Sequence, residues 1–291
     1  MSSRRRSNNR TLRQTTGGKK KKSPFAKACL VLLGIVVVIV LIHVVHALTL
    51  DRIIQYKEVS FRSPNVPTEL SGYTIAFITD THSIPEERFM EVVAELNSRQ
   101  IDLLVIGGDI TSPVYTSQQS LRILSQIKTA DGIYAVDGNH DYYAPLTADM
   151  EQYSIPLLAN TGLYVRDHLY LAGVQDPTHR NPNIADAIRG AKPDDFVLLL
   201  SHNPDVAMRQ NTSGVDLILS GHTHGGQVTL FGLWAPLFTV NKTITAYGQH
   251  FRSGWAESGD GVPVYVSNGT GDFFIRVFAR PQVILITLYP E

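Results

Sequence analysis

The longest feature of the hydropathy pattern is an apolar run near the start of the chain. Residues 28–50 contain no Asp, Glu, Lys or Arg, and residues 30–42 are apolar apart from Gly34. A helix of about 20 such residues crosses a hydrocarbon layer of roughly 30 Å. A core helix of a soluble protein would carry a polar stripe, which is missing here. The pattern predicts one transmembrane helix or signal anchor over residues 28–50.

After residue 50, short apolar runs alternate with amphipathic ones. Residues 51–71 are predicted as a linker and a first strand, and residues 72–291 as one domain. The further strands are predicted at 74–79, 103–106, 133–136, 164–165 paired with 170–172, 196–200, 217–219, 263–266 and 283–288. Helices are predicted at 85–98, 117–129, 144–153, 184–189 and 204–209. Such alternation is typical of an α/β domain whose sheet is covered by helices.

Charge divides the chain into two unlike parts. It has 26 basic and 26 acidic residues, but ten of the basic ones and none of the acidic ones precede Asp51, so the remainder carries 16 − 26 = −10. Residues 1–27 are predicted to form a basic, disordered tail. The positive-inside rule retains such a tail in the cytoplasm, which places the domain outside the cell membrane. Val45, His46 and Ala47 also fit a signal-peptidase site, so cleavage after Ala47 stays open.

Polar side chains follow five of the predicted strands, where an α/β sheet gathers its ligands. They are Asp80 and His82, Asp109, Asn139 with His140 and Asp141, His202, and His222 with His224. Asp, Asn and His without Cys suit divalent ions such as Mn, Fe or Zn. Two neighbouring cations need a shared anion, and Asp109 follows a Gly107-Gly108 turn that would place its carboxylate between them.

These motifs resemble a known family. The series is Asp80-x-His82, Gly108-Asp109, Gly138-Asn139-His140-Asp141, His202 and Gly221-His222-x-His224. It resembles the calcineurin-like metallophosphoesterases, and the apolar anchor makes it similar to their bacterial membrane-anchored branch, which includes proteins compared with UDP-2,3-diacylglucosamine hydrolases. The resemblance implies a four-layer α/β/β/α sandwich after the transmembrane helix. The residues alone predict only a helix-covered sheet.

The resemblance also implies roles for the polar residues. Two divalent metal ions, Mn, Fe or Zn, would be the cofactors, with Asp109 bridging them. One ion would be bound by Asp80, His82 and His224, and the other by Asn139, His202 and His222. His140 would be catalytic, stabilising the transition state or protonating the leaving oxygen. Asp141 would orient His140 through its other ring nitrogen.

The implied activity is hydrolysis of a phosphodiester, phosphomonoester or pyrophosphate bond by metal-activated hydroxide. The substrate would be a phosphorylated small molecule or lipid. Residues 228–238 carry no charge and are either core or an apolar lip that dips into the membrane. The acidic domain disfavours nucleic acid as a partner.

Two further functions stay open: a phosphatase of phosphoproteins or of the cell envelope, and a non-catalytic binding protein on the same fold. The oligomeric state and the metal pair are undetermined. His179, Arg180 and Arg276 are candidates for a phosphate clamp, although ordinary surface positions are the simpler interpretation.

Overall fold

The computed structural model describes residues 23–82, 84–111, 116–142, 146–241, 244–271 and 275–291. The described residues divide into two compact units, those up to Ile42 and those from His43 onward. Most of the predicted basic tail, residues 1–22, lies outside the described residues.

Helix α1 (Pro24–Leu48) contains the apolar run. It begins four residues before the predicted span, because Pro24 fits the first turn of a helix. Its apolar side chains up to Ile42 are largely exposed. Within the described part of the chain, α1 is the one helix with the length and composition to cross a membrane.

The first sheet has five strands in the order β1-β11-β2-β3-β4. Their bounds are β1 (Gln55–Ser63), β2 (Thr74–Ile78), β3 (Leu103–Ile106), β4 (Ile133–Ala135) and β11 (Gln282–Pro290). All neighbours are parallel except β2 and β11. The predicted strands in this part of the chain are therefore all present.

The second sheet has six strands in the order β5-β6-β7-β8-β10-β9. Their bounds are β5 (Thr161–Arg166), β6 (Leu169–Gly173), β7 (Phe196–Leu200), β8 (Leu217–Ser220), β9 (Gly254–Glu257) and β10 (Pro263–Val266). The sequence does not predict β9, because Gly, Ala and Glu have low strand propensity. This strand forms by antiparallel pairing with the buried β10.

Alternating side chains explain why the inner strands are apolar throughout. Ile75 and Phe77 of β2 pack in the core between the two sheets, whereas Ala76 and Ile78 pack against helices. Both faces of such a strand are buried, so neither can be polar.

Helices cover the outer faces of both sheets. The first sheet is covered by α2 (Glu86–Asn97), α3 (Ser117–Leu124) and α4 (Leu146–Gln152), and the second by α5 (Ile184–Ala187) and α6 (Val206–Arg209). A last helix, α7 (Leu237–Val240), lies in the apolar segment and was not predicted. The result is the four-layer α/β/β/α sandwich that the resemblance implied.

A buried carboxylate ties the end of α1 to the rest of the second unit. Asp51 accepts hydrogen bonds from the backbone nitrogens of Phe278 at 2.8 Å and Ala279 at 3.1 Å. Its Oδ2 also lies 2.7 Å from Nδ1 of His46, whose ring stacks on Phe278 at 3.8 Å. Residues 43–48 therefore belong structurally to the second unit.

Replacing Asp51 should destabilise the second unit. Asp51→Ala leaves one buried backbone donor, at Ala279, and one half-buried donor, at Phe278, unpaired, and a buried unpaired donor costs about 1–3 kcal/mol. Glu58→Ala is the control: Glu58 is 74% exposed and pairs with Arg99, and such pairs contribute less than about 1 kcal/mol. Denaturant unfolding of the full chain in detergent measures both, and equal losses would contradict the role of Asp51.

Candidate metal centre

Asp80, His82 and His224 form the first cluster of potential ligands. Asp80 and His82 follow β2, and His224 follows β8. Their ligand atoms all lie within 4.8 Å of one another. Nε2 of His224 is 3.4 Å from Oδ1 of Asp80, and Nε2 of His82 is 3.9 Å from the same oxygen.

Asp109, His202 and His222 form the second cluster, with the same 4.8 Å spread. They follow β3, β7 and β8. Asn139 joins them, because its Oδ1 lies 3.2 Å from Nε2 of His202. All seven residues that the sequence predicts as ligands therefore lie at one edge of the two sheets.

Asp109 connects the two clusters. Its Oδ2 is 3.5 Å from Nε2 of His82 and 3.3 Å from Nε2 of His202. One carboxylate thus faces an imidazole of each group, which is the placement expected of a bridging ligand.

The hydrogen-bond pattern of the second cluster fits bound cations. Nδ1 of His202 lies 2.8 Å from the carbonyl of Gly107, and Nε2 of His222 lies 2.8 Å from the carbonyl of Ile244. Each ring nitrogen that faces a carbonyl must be a donor, so in a neutral ring the other carries a lone pair. Those lone pairs, on Nε2 of His202 and Nδ1 of His222, face each other at 3.2 Å. Either a proton on Nε2 of His202 or a cation between the two nitrogens resolves this arrangement, and a divalent cation can replace the proton.

Burial and close charges shift the pKa values of the site. Although burial opposes it, His224 and His202 hold the pKa of Asp80 below its ordinary value. Burial would raise the pKa of Asp109 as well, but His202 and His82 outweigh it and hold that pKa below its ordinary value. Burial lowers the pKa of His224 to about 3, and the charge of Arg276 acts in the same direction. A deprotonated carboxylate beside a neutral imidazole, as at Asp80 and His224, is the state that binds a divalent ion. At His202 burial is outweighed, and Asp109 and Asp80 raise its pKa well above the ordinary value, so metal binding there releases a proton.

The backbone of the site is strained. Five of the seven predicted ligands have positive φ: Asp80 at 51°, His82 at 35°, Asp109 at 51°, His222 at 69° and His224 at 50°. Side-chain-bearing residues rarely adopt this conformation, and each instance costs of order 1–3 kcal/mol. Such strain concentrates at functional sites.

Two glycines of the motifs give the ligands their space. A Cβ on Gly138 would overlap the carboxylate of Asp109, and a Cβ on Gly221 would overlap that of Asp80. Larger residues at these positions would displace one carboxylate from each cluster.

Asp141 has different partners from those expected. Its Oδ1 accepts hydrogen bonds from the backbone nitrogens of Ile110 and Thr111, and its Oδ2 from that of Gly138. Burial, together with Asp109, raises its pKa to about 7. These contacts support a role in bracing the ligand-bearing loops rather than in orienting the ring of His140.

Sequence reasoning missed the role of Arg276, which it assigned to the surface. Arg276 is buried, and its guanidinium donates to the carbonyls of Asn268 at 2.8 Å, Gly271 at 2.8 Å and Ala279 at 3.0 Å. It also lies 3.4 Å from Nδ1 of His224. No motif marks this position, because its carbonyl partners lie on the irregular loop around it and His224 lies 52 residues earlier in the chain. Arg276 therefore supports the first cluster at Nδ1 of His224, the ring nitrogen opposite the one that faces Asp80.

A cavity of about 380 Å³ opens over the two clusters. Asp109, Asn139, His140, His222 and His224 line one part of it, and the apolar side chains of Leu237, Phe238 and Ile244 line another. His140 is exposed, and its ring lies 5.1 Å from that of His82. A larger cavity, of about 810 Å³, contains none of the predicted ligands.

The two other candidate clamp residues lie on the loop after β6. His179 stacks on Tyr142 at 4.4 Å, and Nε of Arg180 pairs with Asp137 at 3.3 Å. Neither residue is among those that line the cavity over the clusters.

Comparison with known proteins agrees with this geometry. A family model described as calcineurin-like phosphoesterase matches residues 73–226, which contain all seven predicted ligands. A Helicobacter pylori protein named as an uncharacterized metallophosphoesterase is 28% identical over 75% of this chain and 60% of its own length.

Two further relatives carry similar names. A Danio rerio transmembrane protein with metallophosphoesterase domain is 30% identical over 77% of this chain and 54% of its own length. The Bacillus subtilis protein YkuE, an uncharacterized metallophosphoesterase, is 27% identical over 81% of this chain and 86% of its own. The chain thus spans little more than half the length of some of its relatives.

Asp109→Asn should lower the binding of both ions, because a neutral amide cannot offset the repulsion between two cations. Elemental analysis of the purified full chain is expected to fall from about two ions to fewer than one. Asp186→Asn is the control and should retain both, since the Asp186 side chain is 41% exposed and lies on α5, away from the ligands. Two ions in the Asp109 variant would rule out the bridge.

Arg276→Lys should weaken one ion selectively, since a lysine cannot reach three carbonyls and support His224 at once. Changes behind a ligand typically cost 10–100-fold in metal affinity. A chelator-competition titration should show one of two dissociation constants raised by that factor and the other unchanged. Arg122→Lys, at an exposed pair with Glu86, is the control. An equal loss at both sites would contradict this assignment.

Proposed function

Because the chain belongs to the calcineurin-like phosphoesterase family, we propose that it is a membrane-anchored, two-metal enzyme that hydrolyses a phosphoester bond of a lipid-linked substrate. The observation that carries the proposal is the contact of one carboxylate oxygen of Asp109 with imidazoles of both clusters, at 3.5 and 3.3 Å. Asp80, His82 and His224 would hold one divalent ion. The other would be held by Asn139, His202 and His222, with Asp109 shared between the two.

The chemistry divides between the ions and the protein. When bound, two divalent cations supply positive charge that neutralises the phosphoryl oxygens and makes water more acidic. A water oxygen forms the new bond to phosphorus, the ester bond breaks, and the leaving oxygen takes up a proton. His140 is the residue placed to donate it, because its exposed ring stands at the cavity beside His82. The backbone nitrogen of His140 donates to Asp109 at 2.8 Å, which fixes its loop to the bridge.

Membrane anchoring rests on α1 and on the charge around it. The helix is long and apolar enough to span, and ten basic residues with no acidic one precede Asp51. This asymmetry favours a cytoplasmic N-terminus and an extracytoplasmic catalytic domain.

Retention of the anchor is favoured over cleavage after Ala47. Ala47 is buried, and His46, which cleavage would remove, pairs with Asp51 and stacks on Phe278. A domain released at Ala47 would lose both contacts.

The cavity wall supports a lipid-linked substrate over a phosphoprotein. Leu237, Phe238 and Ile244 form an apolar side beside the metal ligands. A hydrocarbon chain fits such a wall better than a polar peptide does.

Hydrolysis by variants of the full chain tests the reaction. With added Mn²⁺, the protein should hydrolyse a bis-aryl phosphodiester, and chelation should abolish activity. His140→Ala should retain both ions and slow turnover by about 10²- to 10⁴-fold. The loss should be larger for an alkyl ester, because a poor leaving group depends more on a proton donor.

His250→Ala is the matched control for this experiment. His250 lies outside the cavity, and its Nε2 faces the carbonyl of Glu257 at 2.7 Å. Equal losses for aryl and alkyl esters in the His140 variant would contradict proton donation. A metal-loaded protein that hydrolyses none of the esters would overturn the proposed function.

A further inference from the structure

We infer that residues 230–237, here termed the apolar loop, form a docking surface for the lipid bilayer. In this inference the loop inserts into the surface of the membrane that α1 crosses and holds the mouth of the metal cavity at the lipid headgroups. The inference deepens the proposed function and rests on its membrane anchor.

The apolar loop exposes large side chains in a continuous stretch. Leu233 is 81% exposed, and Leu230, Phe231, Trp234 and Leu237 are each about 40% exposed. The chain has no charged residue from Val228 to Val240. Single exposed apolar residues are ordinary, but a contiguous group marks an interaction surface.

Polar contacts of the backbone hold the loop in this shape. Leu230 N donates to the carbonyl of Trp234 at 2.8 Å, which closes the turn. Behind it, Gln249 donates to the carbonyl of Ala235 at 2.7 Å and accepts from its nitrogen at 3.0 Å. The loop therefore presents its apolar side chains without a rearrangement.

The position of the loop identifies the bilayer as its occupant. The ring of Phe231 lies 4.5 Å from that of His43, and both contact Phe278. His43 directly follows the apolar run of residues 30–42. The segment 24–43 has the roughly 30 Å length of a membrane crossing. A residue in contact with His43 then lies at the membrane surface, where Trp and other amphipathic rings are favoured.

The same surface reaches the metal cavity. Leu237 is exposed as part of the apolar loop and also lines the cavity beside Phe238 and Ile244. A phosphoester at headgroup depth would therefore meet the metal ligands while its acyl chains stay in the bilayer.

The two tryptophans of the chain allow a direct test. The full chain is reconstituted into phosphatidylcholine vesicles, with or without bromine on the acyl carbons nearest the headgroup. In Trp255→Phe, Trp234 is the one remaining tryptophan, and its fluorescence should fall at least twofold in the brominated vesicles.

Trp234→Phe is the matched control, because it leaves Trp255. Trp255 is 47% exposed and packs on Tyr265 and Phe61. Phe61 lies near the end of β1 that is remote from α1. Trp255 should therefore keep its fluorescence in brominated vesicles.

Leu233→Asp in the Trp255→Phe background gives a second comparison. The substituted side chain is exposed, so the fold should persist, but a charge at the tip opposes insertion. Quenching of Trp234 should then fall to the level of the control. Absence of quenching at Trp234, or equal quenching of both tryptophans, would overturn the inference and point to a protein partner or a second copy on this surface.

Hydrolysis of the soluble bis-aryl diester is measured on the same samples. Leu233→Asp should leave it unchanged, since Leu233 does not line the cavity. Quenching without hydrolysis would reject the proposed chemistry and retain the docking surface. Hydrolysis without quenching would retain the proposed chemistry and reject the docking surface.

Discussion

The close approach of His202, His222 and Asp109 around one point is the constraint on which the rest of the structure depends. His202 and His222 each commit one ring nitrogen to a backbone carbonyl, which turns the other toward its neighbour and toward Asp109. With both rings neutral and no cation bound, this arrangement is repulsive; although burial opposes it, Asp109 and Asp80 raise the pKa of His202 well above its ordinary value, so a proton on its Nε2 takes the place of the cation. Five predicted ligands also hold strained positive φ angles. The fold has to impose the arrangement from outside, through the sandwich core, the brace at Asp141 and the buried guanidinium of Arg276.

The sandwich can hold the ligands in position because the ligand-bearing strands of both sheets end at the same edge. β2 and β3 of the first sheet and β7 and β8 of the second are rigid buried strands, and each delivers its ligand in the first few residues beyond its end. The backbone strain is confined to these short turns. It is offset by the packing of the strands, whose two faces are both apolar and buried. Dense cores resist deformation, so the ligands stay in place.

Much of this is readable from the sequence, and the rest depends on pairing and burial that the apolar pattern does not reveal. Buried strands such as β3 and β7 are predicted to the residue, because their apolar runs are bounded by turn and polar residues. The polar residues after them had to meet, since parallel strands end at one edge. By contrast, β9 exists through its pairing with β10, and the burial of Arg276 depends on Asn268, Gly271 and Ala279. The exposure of the apolar loop is equally invisible to hydropathy, which cannot distinguish a core segment from a surface one.

The connection between α1 and β1 carries a consequence for encounter rates. The helix ends at Leu48 and the strand begins at Gln55, so residues 49–54 alone join them, and Asp51 pins even these to Phe278 and Ala279. Under the proposed anchoring, so short and fixed a connection would keep the metal cavity within a thin layer above the bilayer. The cavity would then encounter mainly the molecules in that layer. Ligands in that layer are met at a high effective concentration, in the manner of an intramolecular partner. Molecules dissolved in the bulk would gain no such advantage, so under the proposed anchoring the enzyme would favour substrates that share the membrane.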